Sequence, residues 1–145
     1  MKDIKQTLLN VIMKKGGKQT SEKLFLKSLK VLQKSSNKNS MNILKTSIIN
    51  SSPLIKMKIY RRNKKRKNKH AINFPYLLTF KQKSVLGIKN LISHSKNKQN
   101  SNYFFNNFVN QLIDSANKKG EILEKISTQH NEAFLKKKFS NFRWF

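Results

Sequence analysis

Between Pro53 and Leu78 the apolar residues of this chain change their spacing. Ile55, Met57 and Ile59 alternate with Lys56 and Lys58, and Ile72, Phe74 and Tyr76 alternate with Asn73 and Pro75. A period of two belongs to extended chain, where successive side chains point to opposite faces. Elsewhere the apolar residues recur every three or four positions, as on one side of a helix. A single strand pair between helical segments implies a mainly α fold: a bundle of about five to six helices with a protruding two-stranded β-ribbon at about 54–78. Pro75 cannot donate to a ladder, so its strand lies at an edge or ends soon after. Two strands alone are marginal in water, so the ribbon must lean on helices or on a partner.

The helical segments have readable ends. The first runs from about Lys5 to Lys15, with Leu8, Leu9, Ile12 and Met13 at helical spacing, and stops at Gly16-Gly17. Thr20 is a candidate cap for the second, with Glu22 in its first turn and Phe25, Leu29 and Leu32 on its apolar side. Leu24, Leu26 and Val31 widen that side. After the polar stretch Ser35 to Asn39, Ser40 is a candidate cap for a third helix carrying Met41, Leu44 and Ile48, which ends before Pro53. Thr79 caps a fourth, striped by Val85, Ile88, Leu91 and Ile92, with Lys81, Lys83 and Lys89 off the stripe. The fifth has the most apolar stripe: Phe104, Phe105, Phe108, Val109, Leu112 and Ile113. It terminates at Asn117-Lys118-Lys119-Gly120. The last runs from Glu121 to about Lys138 and carries Ile122, Leu123, Ile126, Ala133 and Phe134.

Charge narrows the function. Lys and Arg number 32 against six Asp and Glu, a net charge of +26 on 145 residues. Hydrophobic residues are 37% of the chain, and the mean hydropathy is −0.67. That length fits one domain spanning 1–145, but a body so cationic repels itself unless a polyanion offsets the charge. Nucleic acid, acidic lipid or an acidic protein would each serve. The cations are spread along nearly the whole length, which favours a protein enclosed by phosphates over a neutral domain with a basic tail. The 28 Lys and 18 Asn also fit an A/T-rich genome, although such drift does not explain the scarcity of acids.

Other classes lose support. With no cysteine there is no disulfide scaffold, thiolate zinc site or cysteine nucleophile. His70, His94 and His130 lie far apart, and no pair has metal-ligand spacing. Glu121 and Glu124 suit a helix start. No glycine-rich phosphate loop or serine elbow occurs, so we expect no catalysis, cofactor or metal. No apolar run is long enough to cross a bilayer.

The densest basic stretch is Arg61 to Lys69, with seven cations in nine residues: Arg61, Arg62, Lys64, Lys65, Arg66, Lys67 and Lys69. At the tip of a ribbon it would reach into folded RNA. Lys14, Lys15 and Lys18 around the glycine pair, Lys56 and Lys58 on the first strand, and Lys81 and Lys83 after the ribbon complete the phosphate-binding candidates. Most of the 14 aromatics sit on apolar stripes and read as core; Tyr60 and Tyr103 are the candidates for stacking on bases.

In order along the chain, these landmarks resemble a known family. They are Met13-Lys14-Lys15-Gly16-Gly17-Lys18, then Pro53 opening a ribbon with Arg61-Arg62 that returns through Phe74-Pro75. Gln111-Leu112-Ile113-Asp114-Ser115-Ala116 follows, then Lys125, His130, Ala133, Phe139 and Phe142-Arg143-Trp144. The order is similar to that of small-subunit ribosomal protein seven of bacteria and organelles, over nearly the whole chain. The resemblance implies a structural protein that binds the head domain of small-subunit rRNA and helps the head assemble. It implies a ribbon near the exit-site tRNA and the mRNA path, and a last helix near small-subunit protein eleven. It points to Lys18, Arg61, Arg62, Lys137 and Arg143 as RNA contacts. A nucleoid-type DNA-binding protein is the alternative reading, and a peripheral membrane protein a more distant one.

The chain departs from that family in places. It opens almost at the first helix, so we expect no counterpart of the basic N-terminal arm of bacterial members. The ribbon tip lacks the family's glycine pair, and Asn63 to Ala71 is longer than the usual loop. Gln129 and Lys136 stand where the family pattern differs. No transit or signal peptide is expected before the first helix. With the A/T-biased composition, we expect a mitochondrial, organelle-encoded protein, with plastid and bacterial cytoplasm as alternatives.

Overall fold

In a computed structural model the described residues are 2–36, 39–61, 71–97 and 104–141. The order of elements is α1 (Lys2–Ile12), α2 (Lys18–Ser35), α3 (Ser40–Asn50), β1 (Ile55–Arg61), β2 (Ala71–Leu77), α4 (Phe80–Asn97), α5 (Phe104–Ala116), α6 (Glu121–Leu135) and a 3₁₀ turn (Lys137–Phe139). The fold is the expected helical bundle with one antiparallel β-hairpin.

α5 is the centre of the bundle, packed against α2, α3 and α4. Its most buried apolar side chains, Phe108, Val109 and Leu112, join Phe25 and Leu32 of α2, Ile48 of α3 and Leu91 of α4 in one core cluster. Phe104 stacks on Phe108, with ring centroids 5.8 Å apart. A chain this poor in apolar residues completes its core with serine. Ser21, Ser28, Ser47, Ser51 and Ser95 are all buried. Their hydroxyls donate to carbonyls three or four residues back, as from Ser51 to Ser47 and from Ser95 to Leu91, both at 2.6 Å. The polar atom is satisfied within its own turn, and the small side chain lets helices approach closely. One such close approach is at Gly87 of α4, where an added Cβ would lie 2.9 Å from the Ile48 carbonyl oxygen.

Several helix ends differ from expectation by a turn or less. α1 stops at Ile12, and Lys14 to Gly17 form a tight turn in which the Gly17 N–H donates to Lys14 O at 3.0 Å. Its central residues, Lys15 (φ 49°) and Gly16 (φ 75°), are both left-handed, as a type I′ turn requires. The turn starts α2 at Lys18, before Thr20. Thr20 is therefore not the cap; its hydroxyl donates back to Gly17 O at 2.6 Å, and Glu22 lies beyond the first turn. Asn39, not Ser40, caps α3, its side chain accepting the Met41 N–H at 3.1 Å. Thr79 does precede α4, and Gln82 reaches back to the Thr79 N–H at 3.2 Å, half of a capping box. α6 ends at Leu135, short of Lys138. Leu26, Met41 and Phe134, assigned to apolar stripes, are exposed, because no described element covers those edges of the helices.

The ribbon register pairs Ile55 with Leu77, Lys56 with Tyr76, Met57 with Pro75 and Lys58 with Phe74. Opposed residues share a face, so the lysines of β1 lie on the face that carries the aromatics of β2. The Leu78 N–H donates to Leu54 O at 3.2 Å. By the alternation of an antiparallel ladder, the Lys56–Tyr76 pair is then hydrogen-bonded and the Met57–Pro75 pair is not. Pro75 thus sits where no ladder donor is needed. β1 packs against α6, and β2 against the 3₁₀ turn, so helical structure supports the hairpin.

Candidate nucleic-acid interface

Three parts of the fold present the basic residues read from the sequence. The first is the α1–α2 turn, where Lys14, Lys15 and Lys18 are all exposed. The two left-handed residues fold the chain back on itself and thrust the lysines outward. Beside them lies a pocket of about 440 Å3 lined by Met13, Lys14, Leu24, Lys96, Phe104 and Asn107, among others. Lys96 thus shares a pocket with Lys14, a neighbour across the fold that sequence spacing did not reveal.

The second part is the ribbon base with the start of α4. Lys56, Lys58 and Lys81 are exposed and Lys83 is half-buried. A groove of about 330 Å3 separates the two elements. Leu78, Val85 and Leu86 give it apolar surface, and Tyr76, Gln82, Lys56 and Lys81 complete its lining. Lys81 and Lys96 are fifteen positions apart on one helix, hence about 22 Å along its axis. At 3.6 residues per turn, Lys81, Lys89 and Lys96 fall within about 80° of arc. All three are exposed. α4 therefore joins the two basic regions by a lysine-bearing side.

The third part is the 3₁₀ turn, where Lys137 is exposed and Lys138 lies over the Phe139 ring, 5.1 Å from its centroid. Because this turn packs on β2, it brings Lys137 to the ribbon side of the molecule. Arg61 ends β1 opposite Ala71. Arg62, Lys64, Lys65, Arg66, Lys67, Lys69 and Arg143 lie outside the described residues, as does Tyr103; of Tyr60 and Arg61 only the backbone is described.

A further residue links the ribbon to the body. His130 of α6 accepts the Leu54 N–H through Nε2 at 3.3 Å. The sequence marked His130 as a landmark without showing this contact. Among the described residues no three His, Cys, Asp or Glu side chains are grouped to hold a metal. No described helix is long and apolar enough to cross a membrane.

Comparison with known proteins accords with this arrangement. The family described as Ribosomal protein S7p/S5e matches residues 1–137. The small ribosomal subunit protein uS7 of Heliobacterium modesticaldum is 26% identical over 137 residues, 94% of this chain and 84% of that protein. That of Mycoplasma mobile has the same identity and coverage. That of Thermomicrobium roseum is 24% identical over 143 residues, 98% of this chain and 87% of that protein. With a match over nearly its whole length, this chain belongs to the S7p/S5e family of ribosomal proteins.

Proposed function

We propose that the chain is a structural component of the small ribosomal subunit, a single rRNA-binding domain spanning 1–145 with the ribbon as an insertion between helices. Its rRNA partner is the head domain, which it helps to assemble. The ribbon lies near the exit-site tRNA and the mRNA path, and the end of α6 lies near small-subunit protein eleven. The observation that carries the reading is the exposure of Lys14, Lys15, Lys18, Lys56, Lys58, Lys81 and Lys137 on three separate parts of an acid-poor body. Ammonium groups on several elements hold phosphates of several RNA segments at once, and A-form RNA is read largely through backbone and shape. The cations from Arg62 to Lys69 and Arg143 belong to the same proposed contact set. The role is structural and involves no catalysis.

The Lys- and Asn-rich composition supports a mitochondrial ribosome and an organellar gene, against the bacterial setting of the relatives named above. Sedimentation of a native extract tests both points. The protein should co-migrate quantitatively with small subunits in the mitochondrial fraction. Competition between a head-domain rRNA fragment and duplex DNA tests the partner, and preference for the DNA would sink the ribosomal reading.

A further inference from the structure

We propose that the groove between the ribbon base and α4 receives a single unpaired RNA base, with Tyr76 as its stacking surface and Lys56 and Lys81 holding the adjoining phosphates. The inference rests on the RNA-binding reading and adds a subsite to it.

Three observations converge on the groove. It measures about 330 Å3, at the small end of the range of roughly 300–1,000 Å3 typical of ligand pockets. Its apolar surface, from Leu78, Val85 and Leu86, suits the flat face of a base better than a hydrated phosphate. Tyr76 is the aromatic in its lining, and the register places Lys56 directly opposite Tyr76 on the same face. A π-surface and an ammonium side by side match the two halves of a nucleotide. Lys81 supplies a second ammonium from α4. Gln82 has its Oε1 engaged by the Thr79 N–H at 3.2 Å, which leaves its Nε2 hydrogens for an acceptor on the base edge.

The charge of the surroundings selects the occupant. The lining contains two cations and no acid, on a chain of net charge +26. An apolar peptide would gain nothing from Lys56 and Lys81. In a paired duplex the base faces are stacked and hidden, so the groove selects bulged or single-stranded nucleotides. Aromatic stacking tolerates any base, so the groove recognises unpairing more than sequence.

The test uses the full-length protein with two RNA probes, an oligouridylate octamer carrying one 4-thiouridine and a twelve-base-pair RNA duplex carrying the same nucleotide. Irradiation followed by peptide mapping should place a crosslink on the Tyr76 peptide with the single strand and not with the duplex. Tyr76→Ala should weaken octamer binding by about five- to 150-fold, the range expected for loss of one stacked base. Tyr76→Phe should bind as the parent does, because stacking needs the ring and not the hydroxyl. Tyr76 is half-buried, so the exposed pair Lys56→Gln with Lys81→Gln provides a variant that leaves the packing intact. It should also weaken octamer binding.

Unchanged octamer affinity in both groove variants, with crosslinks mapping elsewhere, would overturn the subsite. If Lys14→Gln, Lys15→Gln and Lys18→Gln together still weakened duplex binding, the RNA-binding reading would survive that loss. Failure of the parent protein to bind either probe at low salt would defeat the broader reading instead. Loss of the Tyr76 crosslink at lower concentrations of an acidic, leucine-bearing peptide than of unlabelled oligouridylate would assign the groove to a protein and refute the base.

Discussion

Leu54 donates its backbone N–H to Nε2 of His130, across 76 positions of sequence. The next contact outward, from the Leu78 N–H to Leu54 O, closes the base of the hairpin. A side chain of α6 thus engages the residue where the ribbon leaves the body. An imidazole accepts only through an unprotonated nitrogen, so His130 carries its proton on Nδ1 when this bond is made. Replacing His130 with Ala should cost about 0.5–1 kcal/mol, the low end for a hydrogen bond at a partly wet site. Amide hydrogen exchange should quicken at Leu54 and Leu78 while α5 keeps its protection. Equal loosening of α5 would show that His130 supports the core and not the ribbon.

Asn50 makes a second long-range contact. Its Nδ2 donates to the Ser115 carbonyl at 2.9 Å and to that of Ala116 at 3.4 Å, satisfying the last turn of α5 from the end of α3. Asn50→Ala should destabilise the protein by about 0.5–1.5 kcal/mol, since it removes a donor shared by two part-buried carbonyls, of which Ser115 O keeps the Lys118 N–H. Asn50→Asp keeps the shape but sets a carboxylate against two carbonyls, so it should destabilise more. Chemical denaturation of the two variants checks the order, and an Asp variant as stable as the parent would remove Asn50 from this role.

At Gly87 the absence of a side chain is what the packing requires. A Cβ there would meet Ser52 Oγ at 2.5 Å and the Ile48 carbonyl oxygen at 2.9 Å. The hydroxyl is able to rotate aside, but the carbonyl belongs to the α3 backbone. Gly87→Ala should therefore separate α3 from α4 and cost about 1–3 kcal/mol, outweighing the helix propensity gained. Thermal melting measures the change. A variant more stable than the parent would mean that α3 moves without penalty.

Lys118 points the other way. α5 ends in a Schellman motif: the Lys119 N–H reaches Asp114 O at 2.8 Å, and the Lys118 N–H reaches Ser115 O at 3.2 Å. The left-handed position, usually given to glycine, is occupied by Lys118 with φ 56°. Lys118→Gly should relieve the clash of its Cβ and stabilise the protein by about 0.5–1 kcal/mol, after allowance for the greater freedom of the unfolded chain. A higher denaturation midpoint with an unchanged denaturant slope is the expected result.

What could be read from the sequence follows from the range over which each signal acts. The change of period at Pro53 and its reversal at Thr79 are local, and the ribbon lies where they place it. Core residues such as Phe108 and Leu112 announced themselves by spacing, because α5 is surrounded on several sides. Phe134 has the same kind of spacing but is 74% exposed, since spacing marks a helix face without saying what covers it. Caps were harder. Thr20, Ser40 and Thr79 are equally competent residues, and the choice depends on where the preceding turn releases the chain. The type I′ turn at Lys15-Gly16 releases it early and leaves Thr20 inside the helix. Pairings such as Lys14 with Lys96 and Lys56 with Tyr76 depend on packing and register, which alternation alone does not specify.

The separation of the basic residues into regions makes a prediction about salt. Removing one phosphate-bound cation should reduce the slope of log affinity against log salt by about 0.7–0.9, because one fewer condensed counterion is released. Lys14, Lys15 and Lys18 are exposed on a turn, so their replacement by Gln should leave the helical circular dichroism unchanged. If all three touch phosphates of head-domain rRNA, the triple variant should flatten the slope by about 2–3. Lys56→Gln and Lys58→Gln on the ribbon should flatten it by about 1–2. The two regions lie on different elements, so the combined variant should show the sum of the two changes. Equal slopes in parent and triple variant, with affinity lowered uniformly, would mean that the turn shapes the interface without touching phosphate.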